Sequence, residues 1–392
     1  MKKATAYRRF FALLRMAILA LVVLGGLSMC GKNEVVAHEE DPWIDLCGDQ
    51  PIRFSSFMAT PATKTDPLVT DLPHSTVFGV FGFYQPGVIG QSSGSWSQLE
   101  TKNWIPNFMY NQVVSYDTDH WSCSPIKYWP NNGENTLTFW AYAPHPQDGD
   151  NGIELLKKDT EEDYDNITVG IPDIGFDVRT NNGQTDLMVS DIVQDQHLRD
   201  TETEPVVTAE PTDGIVPLLF HHILCKIDFR VQKAEGVSTV IKLKSISFRQ
   251  LYLTGTHPGT YNYSWDVTGD RGTGIAWSDD NGHVLPAYST DPVDLVNSYV
   301  ATYMPIPQEL GDLEDEETAR VLLHVEYSVG SSSRTTSADY PLYLALHEDN
   351  EWKQNTHYTY TLRISPSDTY IEFSAAIEPW GATVPWVYHH VD

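Results

Sequence analysis

Gly90-Gln91-Ser92-Ser93-Gly94 has the G-x-S-x-G spacing of a serine nucleophile. That spacing does chemistry only where a strand, a sharp turn and a helix hold the hydroxyl above a sheet. Here it lies in the Gly/Ser-rich stretch Gly87–Ser97 with no helical pattern after it, so a loop is the better reading. Asp148-Gly149-Asp150-Asn151-Gly152 and Asp279-Asp280-Asn281-Gly282 have the acidic composition of calcium loops. The first carries Gly152 where the third side-chain ligand of such a loop belongs. Both read as tight turns, in which Asn and Asp tolerate left-handed backbone. His221-His222 and His389-His390 are adjacent pairs, and neighbours in a strand point to opposite faces, so neither pair shares a metal. His221 falls on an apolar face and reads as a hydrogen-bonded core histidine. Cys47, Cys123 and Cys225 show no C-x-x-C spacing, which argues against a zinc site and a disulfide scaffold. There is no Walker loop and no dinucleotide fingerprint. No catalytic residue, metal or cofactor is expected, and the chain reads as a non-enzyme.

The cysteine whose setting does point to chemistry is Cys30. Lys2, Lys3, Arg8, Arg9 and Arg15 give a basic start, and residues 16–29 carry no charge. The aliphatic core Ala17–Leu24 is too short to cross a bilayer, which needs roughly 20 apolar residues. Leu27-Ser28-Met29-Cys30 resembles a bacterial lipobox, with Met29 where a small residue is usual. Residues 1–29 are therefore expected to be a cleaved signal peptide and Cys30 to be lipidated. The alternative is ordinary cleavage nearby, and either route exports the protein.

Loss of the five basic leader residues leaves 20 Lys and Arg against 53 Asp and Glu, taking the formal charge from −28 to −33. So acidic a surface repels phosphate backbones, and nucleic acid is excluded as a partner. The 11 Trp, 20 Tyr and 14 Phe exclude a disordered acidic tail. About 360 residues are left to fold, enough for two domains.

The elements that would hold any site read as strands. Leu219, His221, Ile223, Cys225, Ile227, Phe229 and Val231 alternate with largely polar residues, predicting one long strand over 219–231. Val321–Val329, Tyr340–Leu346 and Tyr358–Ile364 repeat the alternation. The polar run His347–Glu351 suits a hairpin between the last two. Ile241, Leu243, Ile246, Phe248, Leu251 and Leu253 slip phase twice, predicting bulges in edge or bent strands. Earlier strands are expected at Ile52–Phe57, Val77–Tyr84 and Leu137–Tyr142. Only Ile153–Glu161 and Leu187–Gln194 could hold short helices. Proline and acid in residues 200–217 mark a linker. The expected division is 1–29 signal peptide, 30–50 lipidated tether, 51–205 first domain, 206–217 linker and 218–392 second domain, both β-sandwiches.

Phe108-Met109-Tyr110-Asn111-Gln112-Val113-Val114, Trp121, Pro125-Ile126-Lys127-Tyr128-Trp129-Pro130 and Leu137–Pro144 together resemble the first domain of the fimbrillin family, the subunits of type V pili. Residues 218–227, Trp352, Tyr358-Thr359-Tyr360 and Pro379-Trp380 resemble its second domain. The resemblance implies an all-β chain of two tandem transthyretin-like sandwiches. It implies a lipid-anchored outer-membrane protein that polymerises with other fimbrial subunits, itself stalk, accessory or anchor. It implies that a first strand, here Ile52–Phe57, is removed by proteolysis at Arg53 or Lys64 and replaced by a neighbour's strand. A host protein or glycan would be a further partner. The rival reading is a glycan-binding surface lipoprotein stacking sugars on Trp96, Trp104, Trp265 or Trp277.

Overall fold

The computed structural model describes residues 47–60, 68–85, 106–130, 135–146, 151–156, 170–179, 185–198, 214–278, 293–294, 299–311, 321–331, 335–342, 350–365 and 371–380. Among them the chain is all-β. Alternating apolar residues form strands throughout, because a period of two presents one face to a core and the other to water.

A first sheet contains β2 (Arg53–Thr60), β3 (Leu68–Asp71), β4 (Phe78–Gln85), β5 (Met109–Asp117), β6 (His120–Cys123), β8 (Thr136–Ala143), β11 (Met188–Ser190), β12 (Val193–Gln196) and β13 (Ile215–His222). Its path β8-β4-β5-β6-β2-β13-β11 returns to β8, because Met188 and Val189 of β11 pair with β8 on one side and β13 on the other. The sheet therefore closes into a ring of seven strands, with β3 and β12 attached. Beside the ring, β1 (Cys47–Pro51) pairs with β7 (Tyr128–Pro130). A second sheet holds β9 (Ile153–Leu156), β10 (Asp173–Asp177), β15 (Ile241–His257), β16 (Asp266–Ser278), β17 (Val293–Asp294), β19 (Leu322–Val329) and β20 (Thr335–Pro341). A third holds β14 (Lys226–Lys233), β18 (Tyr299–Tyr303), β21 (Thr356–Ile364) and β22 (Ile371–Pro379). The second and third sheets pack face to face, with Phe248 against Phe229, Tyr303 and Trp352.

Two cores result, and β4 and β8 serve both. Phe78, Val80 and Tyr84, with Leu137, Phe139, Ala141 and Ala143, fill the ring. The intervening Phe81, Phe83, Trp140 and Tyr142 join the core of the two packed sheets. These strands are buried on both faces. Their near-continuous apolar sequence follows, as in any strand with no wet side. Trp140 ties the units together, its Nε1 donating to the Gly259 carbonyl at 2.8 Å. Gly259 has φ +77°, and a Cβ there would come within 2.6 Å of the Pro172 oxygen, so only glycine fits this approach.

Several expectations need correction. The strand expected over 219–231 is two strands in different sheets, β13 and β14. Val216, Leu218 and Phe220 face the first core and His222 is buried in the same alternation, whereas Ile227, Phe229 and Val231 face the second. The buried parity switches across Ile223-Leu224-Cys225, all three fully buried. His222, not His221, therefore shares the row of core residues. It stacks on Trp380 at 4.1 Å and contacts Asp186 at 2.7 Å. His221 stacks on Tyr261.

Pairing also crosses the boundary expected at 206–217. β13 belongs to the first sheet, while β9 and β10 join the second sheet through β15. Ile153–Leu156, Met188–Ser190 and Val193–Gln196 are strands, not helices, because cross-strand partners outweigh local propensity. β20 and β21 lie in different sheets and do not pair, so the hairpin expected between the last two strands is not formed; residues 343–349 lie outside the described residues. The bulges expected in 241–253 are present, with register shifts at Leu243/Ser245, Ile246/Ser247, Phe248/Leu251 and Tyr252/Thr254. They fall in β15, which is central to its sheet and pairs on both sides.

His257 ends β15 fully buried. Its Nδ1 accepts the Gly259 N–H at 3.2 Å and its Nε2 lies 3.1 Å from the Tyr263 carbonyl, to which Nε2–H donates. Both nitrogens are satisfied only in the neutral ring, and burial lowers the pKa from 6.5 to about 4. The unfolded chain therefore takes up a proton that the folded chain refuses. Stability from this group is complete above about pH 6.5 and declines as pH falls toward 4, by about 3 kcal/mol in all. Urea unfolding of wild type and His257→Gln at pH 7 and pH 4.5 should show a smaller acid loss in the variant. Equal losses would mean that His257 is not the titrating group.

Candidate functional site

The residues singled out in the sequence for possible chemistry are not brought together in the described structure. Cys30, Lys64, Gly90–Gly94, Asp148–Asp150, Asp279–Gly282, His389-His390, Trp96 and Trp104 lie outside the described residues. Among the described residues no three His, Cys, Asp or Glu side chains are placed to hold a metal. Cys123 and Cys225 are free thiols, both buried. Burial pushes each thiol pKa up, which leaves them unreactive. Trp265 is no open stacking platform. Its Nε1 donates to the Ile223 carbonyl and its ring packs against Phe176 and His257.

What the structure does assemble is a seat for β2. Along one edge β2 runs parallel to β13, with six successive pairs from Arg53↔Ile215 to Met58↔Phe220. Along the other it pairs antiparallel with β6 at Arg53↔Ser122 and Phe54↔Trp121, then with β3 from Phe57↔Asp71 to Thr60↔Leu68. The entry is pinned by Ile52 N–H on the Lys127 carbonyl at 2.8 Å and Arg53 N–H on the Gly214 carbonyl at 3.1 Å. Trp129 Nε1 donates to the same Gly214 carbonyl at 3.4 Å. Lys127 itself is almost fully buried, and desolvation lowers its pKa.

Alternate side chains of this segment enter the ring. Ile52 and Phe54 are buried, Ser56 is buried, and Met58 packs against the same core partly buried. The Phe54 ring meets Phe78 edge-on at 6.2 Å and Phe139 at 5.8 Å. Burial of Ile52 and Phe54 stabilises the seated strand by roughly 1.5–3 kcal/mol each. Arg53 points outward and is exposed, but its backbone is held on both sides. Sequence reasoning found Ile52–Phe57 as a strand and missed its partner. A parallel pairing between residues 53–58 and 215–220 leaves no local signal. The alternation Ile52, Phe54, Ser56, Met58 was the available clue to which side chains face inward.

A family model described as fimbrillin-like matches residues 87–380, three quarters of the chain. The chain belongs to that family. It is 26% identical over 231 residues to a curated protein of Phocaeicola vulgatus named fimbrium subunit Fim1C, covering 58% of this chain and 53% of the relative. The chain thus spans about half the length of the curated relative it matches. Its fold is similar to the crystal structure of a fimbrial protein from Bacteroides vulgatus, with a TM-score of 0.55 at 20% identity, over 84% of this chain and 99% of that one.

The seat predicts the effect of emptying one of its positions. Phe54→Ala should cost about 3–5 kcal/mol, as aromatic truncations in packed cores do. Chemical denaturation would read this directly, and a loss below 1 kcal/mol would mean that β2 is not part of the packed core.

Proposed function

We propose that this member of the fimbrillin-like family is a structural subunit of a surface fimbria that polymerises by donor-strand complementation. The observation that carries the reading is how β2 closes the ring. The other six ring strands form an unbroken path, β13-β11-β8-β4-β5-β6, without it. Removing β2 would open one seam and take away the ladder partner of β3, while the other six ring strands stay paired. The seam would present the unpaired edges of β13 and β6 and the apolar positions of Ile52, Phe54 and Met58. Such an edge binds an extended strand, with main-chain hydrogen bonds giving strength and alternate side chains giving register.

The chain order supplies a way to release β2. Among the described residues it is preceded only by β1, and residues 61–67 join it to the rest of the ring. A cut after Lys64 would separate residues 30–64, with any lipid on Cys30, from everything that follows. One event would thereby free the subunit from the outer membrane and open its slot. Arg53 is a poor second choice, because a protease needs an unpaired segment and Arg53 is laddered on both sides. A copy that escapes the cut would stay on the membrane with its slot filled, which suits an accessory or anchor position. Fimbrial subunits of the same or another kind would be the partners.

Mass spectrometry of subunits from isolated fibres should find an N-terminus at Thr65. Lys64→Ala should keep the chain uncut and lower the yield of detergent-resistant oligomers on unboiled gels, while Arg53→Ala should leave both unchanged. Fibres whose subunits all begin at a lipidated Cys30 would overturn proteolytic activation.

A further inference from the structure

The ring closes on itself, but the second and third sheets end in open strands, and an open strand presents unpaired N–H and C=O groups to any extended chain. Among the described residues the second sheet ends at β20, β16 and β9, and the third at β18 and β22. β16 pairs with β15 through three register shifts, and a bulged edge resists regular pairing. β9 has four residues and β18 five. The long, regular edges are β20, seven residues paired to β19 without a shift, and β22, nine residues paired to β21 without a shift.

An edge strand meets a second copy of itself most simply across a twofold axis, antiparallel, with pairs symmetric about its midpoint. Centred on Ala375, β22 would set Glu372 opposite the second copy's Glu378, twice, and like charges directly opposite one another destabilise a pairing. Centred on Ala338, β20 sets Thr335 opposite Pro341, Thr336 opposite Tyr340 and Ser337 opposite Asp339. No like charges meet, and Thr336 with Tyr340 is a favourable pair of β-branched and aromatic side chains. Pro341, which has no N–H, falls at the end of the ladder and removes at most its last bond.

The charge around β20 is already balanced within the chain. Asp339 is the strand's single charge, and it meets His324 Nδ1 at 2.7 Å and Arg249 Nη1 at 3.2 Å. Beside it, Glu326 of β19 accepts from Ser245 Oγ at 3.1 Å, and Lys244 Nζ donates to Thr335 Oγ1 at 2.6 Å. Two carboxylates thus stand with two cations, in a chain whose formal charge is −28. Thr335, Thr336, Ser337 and Asp339 are exposed.

We propose that β20 is a homotypic docking edge, at which a second copy of this chain adds its own β20 antiparallel about Ala338 and continues the sheet from one molecule into the next. A ladder of seven residues a side is smaller than the roughly 1,200 Å² of a stable complex, so a single contact is weak. Repeated along a fibre it gains by multivalency and joins fibres side by side. That consequence rests on the fimbrial reading; the dimer itself does not, because β20 and the seat of β2 belong to different sheets.

Sedimentation equilibrium tests the edge on residues 30–392 with Cys30→Ala, uncut and therefore with β2 in place. The chain should show a monomer–dimer equilibrium that moves toward dimer with concentration. Ser337→Asp puts a carboxylate opposite the second copy's Asp339 at two symmetric positions and should weaken the dimer about tenfold, whereas Ser337→Lys should tighten it about threefold. Ser337 is exposed, and urea curves close to wild type check that both variants keep the fold. A monomer at every concentration, or a dimer indifferent to both substitutions, overturns the docking edge and leaves the donor-strand reading untouched.

Discussion

The parallel ladder between β2 and β13 is the interaction on which the first half of the molecule depends. It joins residues 53–58 to residues 215–220, so the ring cannot close until the two ends of a long stretch of chain meet. Pairings of such sequence separation form late, because loop closure precedes any return from contact. The six strands that remain without β2 are linked by their own pairings and share their outward aromatic residues with the second core. β2 is thus an addition to a ring whose other six strands are already linked. A seam of that kind is where a chain can lose one strand and accept another without unfolding.

β13 has a second consequence. After His222 the chain passes through three buried residues and continues as β14, which runs parallel to β21. The strand that seats β2 therefore leads directly into the third sheet, and the aromatic contacts of His221 with Tyr261 and His222 with Trp380 fasten the passage. With Trp140 bonded to Gly259 and one core spanning both units, the ring and the packed sheets are fastened into a single body.

Much of the architecture was legible in the sequence because a period of two is a direct readout of a half-buried strand. Phe78–Gln85 and Thr136–Ala143 were found within a residue or two by their apolar density. The run 219–231 misled for a physical reason. Ile223, Leu224 and Cys225 are all apolar and bridge two alternations of opposite parity, so periodicity alone joins strands that belong to different cores. The short apolar runs at 153–156 and 187–194 carried too few residues to distinguish helix from strand. Of the candidate site, the seated strand was visible; the serine motif was set aside because no helical pattern follows it, and the histidine pairs on their spacing. The parallel partner of the seated strand was not visible, because a ladder between residues 53–58 and 215–220 joins distant segments, not neighbours in sequence.

The central claim is that the strand lying along β13 belongs to a different chain in the assembled state. Cryo-electron microscopy of isolated fibres, at a resolution that traces the backbone, measures this directly. The account predicts a strand beside residues 215–220 that connects to the neighbouring subunit. Fibres in which that strand runs on through residues 61–67 into β3 of the same subunit would contradict it.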